Sequence, residues 1–308
     1  MALPVLEKTW QYNVNQSTTT SGVLLTDCRA AMFKIKQSLI GFTNGWTVVN
    51  SSNASLTGGD CWASVSDLSW ASSGVHSWIV LQQTGVNGSG TTQICIDLFT
   101  ANAYQFYIAF SPSAGFAGGS TSARPTATDE YSTATIAWFP TSAATSVIHA
   151  TQSSTGDCTR VFVFSGGTCY GSLIMDTMYS DSPLSYKGVF GYNTSILYAN
   201  VYTNTPYFRG IFGSTKYAAY VGVEQYQPNT VPAANAGAIS DFSSAYPFCP
   251  ISLHSTTIGA RGRCGRLSDI FLGSTSIATG STYPSGGSTF AQFGTFIIPW
   301  NGTVPVIT

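Results

Sequence analysis

The sequence predicts a mainly β protein, an antiparallel β-sandwich or barrel-like body with one N-terminal helix over about residues 27–39. Three observations lead there. Short β-branched or aromatic runs recur along the chain between turn residues, the pattern of sandwiches and barrels. One stretch alone carries a helical period. Asn87-Gly88, set between two apolar runs, is a strong hairpin signal.

In chain order, residues 9–14 alternate as a strand. Thr26 or Asp27 then offers an N-cap oxygen, and Met32, Ile35 and Leu39 repeat at i, i+3 and i+7. Lys34 and Lys36 lie toward the C-terminal half, where the helix dipole favours cations, and Gly41 stands just past the end as a stop. After residue 45 nearly everything reads as strand and turn. The runs are 46–49, 77–81, 93–98, 105–110, 134–139, 146–150, 160–164, 172–175, 187–190, 219–223 and 292–298. Several, such as Ser77-Trp78-Ile79-Val80-Leu81, are apolar on both faces. A strand of that kind is covered twice, here expected from a second sheet and from another layer or subunit.

The period of two and the Asn87-Gly88 turn together fix a register. They pair Ile79 with Ile96 and Leu81 with Ile94 on one face, and Trp78 with Asp97 on the other. A second hairpin is expected to turn at Gly156-Asp157.

Two stretches read as loops. Residues 111–130 are rich in Gly, Ser, Ala and Thr and are expected to be nearly structureless. A loop of that length in a compact domain is usually functional or clamped by a partner. Phe116, Arg124, Asp129 and Glu130 on it are therefore the candidate interface residues. The Pro/Ala-rich stretch 227–238 is the best internal boundary or crossover. The resulting division is residues 1–45 as strand plus helix, 46–226 as a β-rich body, and 227–308 as a C-terminal β segment. In a single-domain organisation that last segment packs on the same body.

No constellation carries chemistry. His76, His149 and His254 show neither HxH nor HExxH spacing, so no metal ligand set is indicated, and each reads as a sheet or turn residue. Asp129 and Glu130 are adjacent and would point to opposite faces of a strand, whereas glycosidases need two facing carboxylates. They read as solvated loop charges or partners of Arg124. There is no GxSxG elbow, and the glycines at 85–90 join two strands instead of opening a helix, which excludes a phosphate loop. Asp60 and Asp67 lack EF-hand spacing. No catalytic residue, cofactor or metal is expected, and the chain reads as non-enzymatic. Trp62, Trp70 and Tyr246 sit in turn-rich contexts, where a ring can stack on a sugar or anchor an interface. The simpler reading of Trp62 and Trp70 is that they close the ends of the sandwich.

The seven cysteines are scattered, with no CxxC pair, so zinc-ribbon and redox motifs are absent. A turn at Gly166-Gly167 would set Cys169 opposite Phe164 and Cys158 opposite Met175, too far apart for a bridge. Most thiols are expected to stay reduced and to act as small buried apolar groups.

Charge narrows the partners. Only 8% of residues are charged against about 25% in ordinary globular chains, the net charge is −1, and 44% are hydrophobic. Such a surface suits burial against neighbouring subunits. Arg261, Arg263 and Arg266 cluster, but three cations in a near-neutral chain are not the broad basic face of a nucleic-acid groove. No run of about 18 apolar residues occurs, so no membrane span is expected. The opening Met1-Ala-Leu-Pro-Val-Leu-Glu7-Lys8-Thr-Trp10 lacks the basic and apolar regions of a secretion signal. A surface-type composition without an export route fits a particle component that is assembled in the cytoplasm and released by lysis.

The residues that carry a family resemblance are the opening Met1 to Trp10, the pair 77–81 and 93–98, Ala109-Phe-Ser-Pro-Ser-Ala-Gly-Phe116 with Ala123-Arg-Pro-Thr-Ala-Thr-Asp-Glu130, and the ending Phe296-Ile-Ile-Pro-Trp300-Asn-Gly. Over most of its length the chain resembles uncharacterised virion structural proteins of tailed bacteriophages. The resemblance implies a virion location, most naturally the tail tip, baseplate or adjoining tail apparatus. It implies other virion proteins and copies of itself as partners. A receptor- or carbohydrate-binding virion protein, contacting a host surface glycan or receptor, and a capsid decoration protein are the alternatives. No site residue transfers from it.

Overall fold

The computed structural model describes residues 6–16, 32–42, 45–52, 62, 76–84, 91–97, 105–111, 114–132, 136–137, 144–153, 158–165, 168–176, 179–180, 186–191, 208–212, 215–223, 249–255, 262–272, 282–285, 288–293 and 296–300. These residues are mostly strand. In order they form β1 (Leu6–Gln16), helix α1 (described over 32–40), β2 (Thr47–Ser51), β3 (Trp78–Thr84), β4 (Thr91–Asp97), β5 (Gln105–Ser111), β6 (Tyr131–Ser132), β7 (Ile136–Ala137), β8 (Ala144–Ser153) and β9 (Cys158–Ser165). Then follow β10 (Thr168–Asp176), β11 (Tyr179–Ser180), β12 (Tyr186–Gly191), β13 (Phe208–Phe212), β14 (Thr215–Val223), β15 (Cys249–Ser255), β16 (Gly262–Leu272), β17 (Thr282–Ser285), β18 (Ser288–Phe293) and β19 (Phe296–Trp300). The chain divides into two compact units. One holds most of residues 10–150, the other most of residues 167–304.

The first unit contains an antiparallel sheet in the order β2-β3-β4-β5, which β6 and β7 extend beyond β5. Its central register is the expected one: Ile79 faces Ile96, Leu81 faces Ile94 and Trp78 faces Asp97. β5 continues the ladder with Ile108 opposite Ile96 and Tyr107 opposite Asp97. Both faces of this sheet are buried. Ile79, Leu81, Ile94, Ile96, Ile108 and Phe110 lie on one, and Trp78, Val80, Cys95 and Ala109 on the other, none more than 3% exposed. Each buried Val, Leu, Ile or Phe among them contributes about 1.5–3 kcal/mol. Both faces are covered within a single copy, so the doubly apolar strands need no second subunit to leave water.

The residues 32–40 are helical, and Gly41 follows as the first turn residue, where the sequence placed the stop. The expected N-terminal part of the helix, around Asp27, lies outside the described residues. The apolar stripe is real: Met32, Ile35 and Leu39 are at most 1% exposed. The lysines carry a feature that the helical period does not show. Lys34 and Lys36 are both buried, and Lys36 Nζ donates to the Trp62 carbonyl at 2.7 Å. Burial pulls the Lys34 ammonium below its ordinary range. Beyond the helix the Trp46 N–H reaches back to the Leu39 carbonyl, 3.1 Å away. A Cβ on Gly45 would stand 2.6 Å from the Ile40 carbonyl oxygen, so this close return needs a glycine.

In the second unit the antiparallel ladder β10-β12-β13-β14-β15-β16 is followed by β19-β18-β17, with β11 pairing on β16. The single strand expected at 292–298 is instead two. Phe293 pairs with Phe296, so β18 and β19 are antiparallel partners within a run whose continuous apolar pattern reads as one strand. β17 ends the order and contains Pro284, a residue that cannot donate to a further strand. Of the strand expected over 134–139, the described residues Ile136 and Ala137 are strand, as β7, and the rest lie outside the described residues. The proposed boundary at 227–238 and the turns at Asn87-Gly88, Gly156-Asp157 and Gly166-Gly167 lie outside the described residues.

Candidate functional site

The loop between β5 and β6 holds the sequence-derived site residues, and it has a defined fold instead of the structureless run expected from its composition. Its two ends are tied by one carboxylate: Asp129 accepts from Ser111 Oγ at 2.6 Å and from the Ala114 N–H at 2.9 Å. The Gly115 N–H in turn donates to Ser111 Oγ. Antiparallel bridges Ala117–Thr126 and Ser120–Ala123 zip the interior into a short ribbon. Gly115, Gly118 and Gly119 take φ of 76°, 73° and 93°, which L side chains rarely adopt, so the glycines shape the turns.

Side chains of the sheet beneath hold this ribbon down. The Phe116 N–H donates to Gln93 Oε1 at 2.7 Å, and Gln93 Nε2 donates to Gln82 Oε1. Trp78 Nε1 donates to the Ser120 carbonyl at 2.8 Å, and the His76 N–H to the Thr121 carbonyl at 2.8 Å. Phe116 packs with Tyr107 on the buried cluster of Trp78, Val80, Cys95 and Ala109. The loop is therefore part of the cover over that sheet face.

Arg124 is the second anchor. Its guanidinium lies 4.4 Å from the centre of the Tyr107 ring, donates to Tyr107 Oη at 3.0 Å and to the Pro125 carbonyl, and pairs with Glu130 Oε1. Glu130 Oε2 accepts from the Ala127 N–H. Burial pulls the Arg124 charge down and the Glu130 hydrogen bond and neighbouring charges more than restore it, leaving it above its ordinary value. Of the four sequence-derived residues, Arg124 and Glu130 are brought together, Asp129 closes the base of the loop, and Phe116 packs half-buried on the sheet. The exposed part is the tip, Ala117 to Ala123, where small and hydroxylated side chains carry no charge.

Sequence reasoning missed one pair beside the loop. His76 Nδ1 and Asp97 Oδ2 are 2.7 Å apart, with the Asp97 side chain 2% exposed. Desolvation raises the Asp97 carboxyl above its ordinary value, against the opposing hydrogen bond from His76 and the charges of His76 and Arg124. The other oxygen, Oδ1, is buried without a hydrogen-bond partner. The signal was available: the register that set Asp97 opposite Trp78 also put it one step from His76. A His–Asp pair can orient an imidazole for a nucleophile. Ser77, next in sequence, is fully buried and its Oγ accepts from Trp62 Nε1 at 3.1 Å, so a substrate has no access to it. The pair acts on position: it fixes His76, whose N–H holds the loop tip.

Among the described residues no group of three or more His, Cys, Asp or Glu side chains could hold a metal ion. Cys95 is a free, buried thiol, pushed well above its ordinary range first by desolvation and then by the charge of Asp97. Trp62 is fully buried, while Trp70 and Tyr246 lie outside the described residues. No described helix is long and apolar enough to cross a membrane. No protein-family model matches the sequence, and no curated protein matches it.

Proposed function

We propose that this chain is a non-enzymatic structural component of a tailed-bacteriophage particle, placed in the tail tip, baseplate or adjoining tail apparatus, and that it works by assembling with copies of itself and with other virion proteins. Its sheets would form the sandwich- or barrel-like body, and the loop after β5 would dock. The observation that carries this reading is the loop itself. A charge-free tip, Ala117 to Ala123, is held in one shape by Trp78, His76 and the Arg124–Glu130 pair, and a preformed surface loses little entropy on docking. The low charge of the chain points the same way. The Ser77 hydroxyl, next in sequence to His76, is fully buried and so out of reach of a substrate, which supports a non-enzymatic role.

A receptor- or glycan-binding role needs an open cluster of aromatic rings. Trp46, Trp62 and Trp78 are each at most 2% exposed, so none of them supplies it. A capsid decoration protein would use the same docking logic at another location. Reconstruction of the intact particle decides among these: density for this chain in a tail-tip or baseplate ring is expected. Light scattering of the purified chain should show oligomers whose contacts bury more than about 1,000 Å². A chain that stays monomeric and is missing from the particle would overturn the proposal.

A further inference from the structure

β2 ends the described strand order of the first sheet, and one of its side chains is bonded to its own backbone. The strand pairs with β3 through a register shift between Val48 and Asn50, a bulge that breaks the regular alternation. Beyond the bulge the Ser52 N–H donates to the Trp78 carbonyl at 2.9 Å, into the sheet. Neighbouring amides along a strand point to opposite sides, so the Ser51 N–H points to the outer margin. There it donates to Oδ1 of the preceding residue, Asn50, at 2.9 Å. An outward N–H on an edge strand ordinarily meets water or another strand. Here it is turned onto an amide group that can react with it.

Three properties of this pair suit a reaction. The first is distance. A hydrogen bond of 2.9 Å, accepted near a lone-pair direction of a normal C=O bond, sets the Ser51 nitrogen about 3.7 Å from Cγ of Asn50. Attack geometries begin at about 3–3.5 Å, so a small rotation of the amide closes the gap. The second is crowding: Ser51 lacks the branched Cβ that would hinder its own nitrogen. The third is access. Asn50 is only half-buried and Val49 beside it is 46% exposed, so hydroxide and water reach the amide.

We infer that Asn50 is a site of spontaneous deamidation, with the Ser51 backbone nitrogen as the nucleophile that the folded strand holds in reach. Hydroxide removes the Ser51 amide proton, and the nitrogen forms a bond to Cγ of Asn50. The bond from Cγ to the side-chain nitrogen breaks, and that nitrogen leaves as ammonia after taking a proton from water, which regenerates hydroxide. A cyclic imide remains. Water then opens it, at Cγ to give isoaspartate's counterpart, ordinary aspartate with the backbone restored through the Asn50 carbonyl, or at that carbonyl to give isoaspartate. Nothing is oxidised or reduced, and water is the co-reactant. Either product places a carboxylate on a strand, Thr47-Val48-Val49-Asn50-Ser51, that carries no charge. Isoaspartate also adds a methylene to the backbone just before the Ser52–Trp78 bond, so this margin is where ageing loosens β2 from β3. The site is independent of the structural role proposed above.

The test is incubation of the full chain at mildly alkaline pH, once folded and once in denaturant. Chymotryptic peptides are then mapped by mass spectrometry, with fragmentation that separates aspartate from isoaspartate. Both products should form at Asn50 in the folded protein, at a rate no lower than in the unfolded chain and proportional to hydroxide. Ser51→Thr, whose branched Cβ crowds the attacking nitrogen, should slow the reaction at Asn50 severalfold. The Asn-Gly pairs that begin at Asn44, Asn87 and Asn301 should react in that variant as they do in the parent. A folded-state rate below the unfolded one, aspartate without isoaspartate, or a rate indifferent to Ser51→Thr would each overturn the inference.

Discussion

Gly119 and Trp78 are fitted to each other: a Cβ on Gly119 would stand 2.6 Å from Cζ2 of the Trp78 ring and 2.9 Å from the Pro125 nitrogen. The backbone there is at φ 93°, so an L side chain would be strained even in open space. This contact sets how closely the loop lies on the sheet, and the Trp78 indole then reaches the Ser120 carbonyl. Gly119→Ala should therefore cost more than the roughly 1 kcal/mol typical of a misplaced glycine replacement. The adjacent Gly118 has nothing within 4 Å of its Cβ position and pays only the φ penalty. Denaturant unfolding of both variants checks this, and equal losses would show that the Trp78 contact is not tight.

The Arg124–Glu130 pair is mostly buried and continues onto Tyr107. Hydrogen bonds to charged groups are worth about 1.5–3 kcal/mol, and removing one partner strands the other. Arg124→Ala should lose stability in that range. Arg124→Lys should recover little, because an ammonium cannot reproduce the flat stack on Tyr107 together with two forked bonds. Hydrogen exchange of the Ala117 and Thr126 amides, which bridge the ribbon, would report the loosening locally. Unchanged exchange would show that the pair does not anchor the loop.

The register of β3 and β4 was legible because a period of two and an Asn-Gly turn leave one alignment, and Ile79 opposite Ile96 follows from them. The loop was not legible. Its composition argues for disorder, and its order comes from groups distant in sequence: the indole of Trp78, the amide of Gln93 and the N–H of His76. Composition sees none of these, nor that three glycines take positive φ. The His76–Asp97 pair failed to appear for a smaller reason, since each residue was weighed alone. The split of 292–298 into β18 and β19 was hidden by an apolar run that continues from one strand into the next.

Acid–base behaviour follows from Asp97. Its carboxyl is raised above 3.8, first by desolvation. A raised carboxyl means that the folded state holds its proton more tightly than the unfolded chain. The contribution to stability is then fully present below the unfolded value and is lost as pH rises through the folded one. Comparing the unfolding free energy of the protein with that of Asp97→Asn from about pH 3.5 upward should show the difference moving against the native residue as pH increases. A difference independent of pH, or one of opposite sign, would show that His76 compensates the buried charge in full.

Cys95 gives a chemical test of the same face. With the thiol fully buried and its ionisation disfavoured, a thiol-specific reagent should not modify it in the folded protein, and reactivity should appear only on unfolding. Cys95→Ser places a hydroxyl among Trp78, Val80 and Ala109 and should cost about 1–3 kcal/mol. Cys95→Ala should cost less. Rapid modification under native conditions would mean that the loop opens readily.

The docking role of the tip can be separated from its part in folding. Deleting Ala117 to Ala123 is a blunt test, because it also removes the carbonyls that Trp78 Nε1 and the His76 N–H hold. Ala117 and Ala123 are exposed, and each makes only backbone contacts across the ribbon. Ala117→Glu together with Ala123→Glu should leave the unfolding midpoint nearly unchanged, since surface substitutions usually fall within about 0.5 kcal/mol. If the tip docks on a neighbour, two carboxylates desolvated without partners should cost several kcal/mol of association. The expected result is a normally folded chain that fails to form oligomers in light scattering and is under-represented in purified particles. A variant that assembles as the parent does would assign the contacts to another surface and leave the loop as a lid over Trp78 and Cys95.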